Sequence, residues 1–273
     1  MQSPLIDTDA LLELPNPPAD ARIPYGEDSL QFGDLRLPET DGPHPVVVVI
    51  HGGCWRSQYD IDHIGSFSDA LTRTGVATWT IEYRRVGNPG GGWPGTFQDV
   101  GSGLDYLRVL AGDYPLDLAR VVVVGHSAGG HLALWLAARA KLANGPLSGK
   151  NPLPVRGVVS LAGVDDLRRA LTDGVCGDMA ARLVGGAPEE FPERYAQTSP
   201  IELLPFGVSL HLINGARDPI VPEAFGQSFR SAAERAGDSV QRTVVPDAGH
   251  FELIVPTTPA FETVKNAVWG LLQ

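Results

Sequence analysis

Short β-branched runs alternate with stretches of helical spacing along most of this chain. The runs are PVVVVI (45–50), ATWTIEY (77–83), RVVVVG (120–125), VRGVVSLAG (155–163), VSLHLIN (208–214) and QRTVVP (241–246). Continuous apolar runs of this length read as strands covered on both faces. Between them, apolar residues recur with a 3.6-residue period over about 62–74, 97–110, 128–143, 222–236 and 257–272. The alternation predicts an α/β fold with a mostly parallel central sheet and helices on both faces. SLQFGDLRL (29–37) partly alternates apolar and polar residues and predicts a half-exposed, antiparallel edge strand. Residues 1–24, rich in proline and acid, read as a surface arm with one short helix around Asp9 to Leu14. Residues 164–206 break the alternation and read as a small lid-like insertion. No linker separates two core patterns, so 1–273 is expected to form a single domain.

Composition narrows the function. The chain has 273 residues, 43% hydrophobic and 19% charged, enough for one large core, with a formal net charge of −11. An acidic surface disfavours nucleic acid and anionic membranes. The N-terminus has no basic start followed by an apolar stretch, and no run is long enough to span a bilayer, so a cytoplasmic location is the default expectation. Cys54 and Cys176 are too few for a disulfide framework and are read as free thiols, although spacing alone leaves a bridge open. A monomer or a homodimer fits this composition equally well.

One stretch resists explanation by packing. In VVVVGHSAGGHLAL (121–134) an apolar strand runs into a serine flanked by small residues. Gly125-His126-Ser127-Ala128-Gly129 matches G-x-S-x-G, in which a sharp strand-to-helix turn holds the hydroxyl up at a helix N-terminus. A serine hydroxyl needs a base, and the base a carboxylate to orient it. His250 follows the last strand run in VVPDAGHFEL and is the expected base. His126 lies too close in sequence, His131 reads as a packed or hydrogen-bonded helix residue, His211 as core, and His44 and His63 as surface residues. Asp218, in NGARDPIVP just past a strand end, is the expected acid, with Asp247, Asp165 and Asp166 as competitors. Asp165 and Asp166 read mainly as helix caps. A tetrahedral oxyanion also needs preorganised donors. The backbone N–H of Ala128 is one. HGGCW (51–55), after a buried strand, supplies those of Gly53 and Cys54. Trp93, in a glycine-rich loop, is expected to shape a substrate pocket, and Trp55 reads equally well as pocket or packing. No zinc-ligand spacing and no G-x-G-x-x-G fingerprint is present, so no metal or cofactor is expected.

Together, HGGCW, GHSAGG, the Asp218 turn and the His250 loop resemble the α/β-hydrolase superfamily over nearly the whole chain, from about Tyr25 to Gln273. HGG-x-W departs from the HGGG of hormone-sensitive-lipase-like esterases. It resembles kynurenine formamidase and the related feruloyl and acetyl-xylan esterase-like hydrolases, as does EYRRVGNPGGGWPGTFQDV (82–100) after the third core strand. The resemblance implies acyl transfer from a small-molecule ester or amide to water. Carboxylesterase ranks first, arylformamidase second and aminopeptidase-like activity third, because no propeller domain precedes the core. A binding module would not need a complete triad and an oxyanion loop.

Overall fold

The computed structural model describes residues 4–142 and 145–273. The elements run α1 (Thr8–Leu12), β1 (Ala21–Pro24), β2 (Phe32–Arg36), β3 (His44–Ile50), α2 (Gly65–Thr72), β4 (Ala77–Ile81), α3 (Gly95–Asp105), α4 (Leu107–Asp113), β5 (Leu116–His126) and α5 (Ala128–Ala138). They continue with β6 (Gly157–Leu161), α6 (Leu167–Asp173), α7 (Met179–Val184), α8 (Pro192–Thr198), β7 (Ser209–Gly215), α9 (Ala224–Ala236), β8 (Val240–Val245) and α10 (Ala260–Leu272). One eight-stranded sheet has the order β1-β2-β4-β3-β5-β6-β7-β8. β1 and β2 pair antiparallel, as do β2 and β4, and every other pairing is parallel. This is the mostly parallel α/β sheet that the alternation predicts, in keeping with the fold that the resemblance to α/β-hydrolases implies.

The valine runs lie at the centre. Val46 to Ile50 are fully buried and Val121 to Val124 nearly so, as expected of strands with helices on both faces. β8, at the sheet's edge, is only partly buried. β2 is antiparallel as expected but is not the edge. β1 covers it, and the four-residue ARIP was too short to signal a strand. The predicted helix over 97–110 is two, broken at Tyr106. The one over 128–143 ends at Ala138 and gives way to a 3-10 turn, Arg139–Lys141; its last predicted residue, like residues 1–3 of the arm, lies outside the described residues.

Residues 164–206 carry α6, α7 and α8 and pack outside α5. Trp135 Nε1–H donates to the Gln197 carbonyl at 2.9 Å, and Lys141 Nζ donates to that of Leu203 at 3.2 Å. Sandwiched between sheet and insertion, α5 is buried at every position but Ala137. Among the described residues, no helix is long and apolar enough to cross a membrane.

The cysteines overturn the free-thiol expectation. Cys54 and Cys176, 122 residues apart in sequence, form a disulfide with a Cα–Cα distance of 5.6 Å. It ties the HGGCW loop to the insertion. Closing so long a loop removes much of the unfolded chain's entropy, worth about 5 kcal/mol. Cys176→Ser, or full reduction, is therefore expected to lower the thermal midpoint by on the order of 10 °C, read by calorimetry with and without reductant. An unchanged midpoint would show that the bridge contributes nothing.

Candidate functional site

Ser127 stands between the end of β5 and the start of α5, with φ 57° and ψ −120°. For a non-glycine residue such a conformation costs about 1–3 kcal/mol and persists only where the surroundings impose it. Its N–H donates to the Leu161 carbonyl on β6 at 2.8 Å. The glycines two residues either side are steric necessities: a Cβ on Gly125 would lie 2.0 Å from the Gly129 carbonyl oxygen, and one on Gly129 2.1 Å from that of Ile50.

His250 follows β8 and Asp218 follows β7, on neighbouring parallel strands. His250 Nδ1 lies 2.6 Å from Asp218 Oδ2, and both side chains are buried. The other carboxylate oxygen accepts the N–H groups of Ile220 at 2.7 Å and Val221 at 2.9 Å. An ionised carboxylate only accepts, so Nδ1 carries the proton and Nε2 is left as the acceptor. Of the competing carboxylates, Asp247 is exposed, Asp166 caps α6 by accepting the Arg169 N–H, and Asp165 is buried away from solvent, which pushes its pKa well up.

The third component is the turn after β3. Gly53, Cys54 and Trp55 all have positive φ, at 104°, 50° and 55°. Arg56 N–H closes the turn onto the Gly53 carbonyl at 2.9 Å, Val86 N–H donates to that of Trp55 at 2.9 Å, and the disulfide holds Cys54. The N–H groups of Gly53, Cys54 and Ala128 take no hydrogen-bond partner among the described residues. They are free to meet a ligand oxygen.

Ser127, His250, Gly53 and Cys54 share one cavity of about 240 Å³, which His63 and His126 also line. Neither tryptophan reaches it. Trp55 is fully buried and donates Nε1–H to His131 Nδ1 at 3.2 Å, so it is packing. His131 in turn donates from Nε2 to the Thr198 carbonyl at 2.9 Å, and its burial lowers its pKa to about 4. Trp93 packs near Phe97 with the Arg194 guanidinium over its ring. Residues 164–206 contribute no lining residue either, so the expected lid braces the HGGCW loop from outside.

The surface assignment of two histidines also fails. His44 is buried in β3. His63 borders the cavity, and burial, then the nearby His51, hold its pKa down near 3. His211 is half-buried, 2.9 Å from the Thr243 hydroxyl. His126 donates from Nε2 to the His250 carbonyl at 3.0 Å, and burial keeps it neutral.

Sequence reasoning missed the buried cluster beneath the loop. Glu82, just past β4, takes His51 Nε2 at 3.1 Å on one oxygen and the Ile61 N–H at 3.0 Å on the other. Arg85 also reaches Glu82, and the Tyr83 hydroxyl donates to the His51 carbonyl at 2.9 Å. Burial alone would raise the Glu82 pKa, but His51, Arg85 and the Tyr83 N–H outweigh it and hold the carboxyl low. The available signal was EYRR directly after a strand's carboxyl end. Among the described residues, no cluster of three or more His, Cys, Asp or Glu side chains converges on a metal position.

A family model described as BD-FAE matches residues 34–232, which include the Ser127 turn, the Gly53-Cys54 loop and Asp218. The chain belongs to the BD-FAE family. Its match ends before His250, which the fold brings to Asp218. This BD-FAE chain is 28% identical over 265 residues to Esterase LipC of Mycobacterium tuberculosis, covering 90% of this chain and 64% of LipC. It is 34% identical over 120 residues to kynurenine formamidase of Meyerozyma guilliermondii, covering 42% of this chain and 41% of that enzyme. The BD-FAE chain thus spans just under two thirds of the length of LipC. A solved structure described as a truncated form of carbohydrate esterase from gut microbiota matches it with a TM-score of 0.80 at 22% identity, over 93% of this chain and 98% of that one. That likeness establishes the shared fold.

Proposed function

We propose that this chain is a serine carboxylesterase working through an acyl-enzyme, with Ser127 as nucleophile, His250 as base and Asp218 as its orienting acid. The observation that carries the reading is the 2.6 Å Asp218–His250 contact, which leaves Nε2 as an acceptor in the cavity that Ser127 lines. His250 Nε2 takes the hydroxyl proton as Ser127 Oγ bonds to the ester carbonyl carbon. The carbonyl electron pair moves to oxygen, where the N–H groups of Gly53, Cys54 and Ala128 receive it; one such donor is worth about 2.7–4 kcal/mol. The bond to the alcohol oxygen then breaks, and His250 returns the proton to it. Water repeats the sequence on the acyl-enzyme, releasing the acid and restoring Ser127. The names of LipC and the gut-microbiota structure support ester cleavage over the other reactions this fold hosts.

The similarity to kynurenine formamidase favours a second reading, hydrolysis of an aryl formamide. Hydrolysis of p-nitrophenyl acetate, butyrate and octanoate beside N-formyl-kynurenine separates the two, with a fluorophosphonate adduct on the Ser127 peptide reporting the nucleophile. Ester turnover at least about tenfold above the formamide is the expected order, since formamide cleavage demands a fitted pocket. The reverse order replaces the first reading with the second. Turnover without an adduct on Ser127 sinks the assigned nucleophile.

The Cys54–Cys176 bridge supports an oxidising compartment in place of the cytoplasmic expectation, because reducing pools keep cytoplasmic thiols open. Isolation of the natural protein with thiols open to alkylation would reverse this.

A further inference from the structure

We propose that the N-terminal helix α1 is a wall of the substrate site and limits the size of the group bound beside Ser127; this rests on the hydrolase reading above. The wall of the cavity comes from the N-terminal arm and not from the insertion at 164–206. Thr8, Leu11 and Leu12 line the cavity that contains Ser127 and His250. Leu11 is 3% exposed, which is unusual burial for a residue in a terminal arm, whereas Leu12 is 52% exposed and stands at the rim.

A five-residue helix has no stability of its own in water, so something else must hold it. Its start is capped by Asp7, whose side chain accepts the Ala10 N–H at 2.9 Å. Ahead of it, the Ile6 N–H donates to Glu252 Oε1 at 2.7 Å. The other oxygen of the same carboxylate accepts the Gly249 N–H at 2.9 Å, one residue before His250. Glu252 is buried, so this one side chain fastens the arm to the loop that carries the base. Behind α1, the Ser66 hydroxyl donates to the Pro15 carbonyl, Asn16 Nδ2 donates to Asp62 Oδ1 at 2.9 Å, and Arg36 Nη2 donates to the Pro17 carbonyl at 2.8 Å. The arm is therefore strapped at both ends of the helix. Tyr59, Ile220 and Phe251 also line the cavity. The exposed Arg56 lines this cavity too, and a volume of about 240 Å³ bordered by Leu11 and Leu12 together with aromatic and aliphatic side chains suits an ester with a short acyl or alkyl group.

The test compares wild type, Leu11→Ala and Leu12→Trp on p-nitrophenyl acetate and octanoate. Leu11→Ala opens the wall and is expected to raise the octanoate-to-acetate ratio of kcat/KM by about fivefold or more, whereas Leu12→Trp is expected to lower it by about fivefold or more. Leu12 is half in solvent, so its variant does not depend on the core surviving a cavity. Both ratios staying within about twofold of wild type would overturn the wall. Titration of intact p-nitrophenyl octanoate into each variant combined with Ser127→Ala reads occupancy without chemistry. If no ester turns over in wild type but these affinities still follow Leu11 and Leu12, the hydrolase reading falls and the wall stands. If esters turn over and both ratios stay unmoved, or if the ester binds to none of the proteins, the wall falls.

Discussion

Ser127→Ala is expected to lower kcat on p-nitrophenyl butyrate by roughly five to six powers of ten, with KM held within a few fold. Removing the nucleophile of a working triad costs about as much as removing the whole triad, because in the proposed mechanism His250 and Asp218 act only through the hydroxyl. What survives comes from the backbone donors and from binding, a residue of roughly 10³–10⁴ over water. Stability offers an internal control. Alanine keeps a Cβ, so the φ of 57° stays as unfavourable as with serine, and the variant should melt close to wild type. Ser127→Gly is equally inactive but relieves the backbone, and should be the more stable of the two by about 1 kcal/mol. Stopped-flow turnover and calorimetry on the pair check both halves. Ester hydrolysis by Ser127→Ala within about tenfold of wild type would remove Ser127 from the mechanism.

The candidate site was legible from sequence where its residues follow strand ends. Runs such as Val46 to Ile50 and Val121 to Val124 are buried on both faces because helices flank the sheet, and such strands advertise themselves. In a parallel sheet their carboxyl ends share one edge, so residues just past β3, β5, β7 and β8 had to converge. Gly53, Ser127, Asp218 and His250 all sit at such positions. What could not be read is what depends on partners far along the chain. Trp55 is packing because its indole N–H finds His131, 76 residues on. Cys54 is bridged because the insertion carries Cys176 back over the loop, which spacing alone cannot reveal. The arm misled for a similar reason. DALLEL offers too few apolar positions to predict a buried face, and the segment that carries Leu11 is held by distant partners, among them Glu252, 246 residues beyond Ile6, whose N–H it accepts. His63 resembled a surface residue because the turn that buries it depends on Glu82 accepting the Ile61 N–H.

Asp218→Asn is expected to reduce kcat/KM by about 10⁴-fold at neutral pH, more than loss of one hydrogen bond would give. The reason lies in the other contacts of the carboxylate. Oδ1 already accepts the N–H groups of Ile220 and Val221, both of which need an acceptor. An asparagine in this place must turn its oxygen to those two amides and its NH₂ to His250. That NH₂ can only donate, so Nδ1 of His250 has to become the acceptor and the ring proton moves to Nε2. The imidazole then keeps its position and presents an N–H to Ser127 where a lone pair is required. The fold, the cavity and KM should be nearly unaffected, which distinguishes this from collapse of the site. The rate of fluorophosphonate addition to Ser127 should fall in parallel with ester turnover, since both need the hydroxyl proton removed. Asp247→Asn should change neither rate by more than about twofold, because that carboxylate faces solvent. A loss below about tenfold for Asp218→Asn would mean that another group sets the tautomer of His250, and that the 2.6 Å contact is structural.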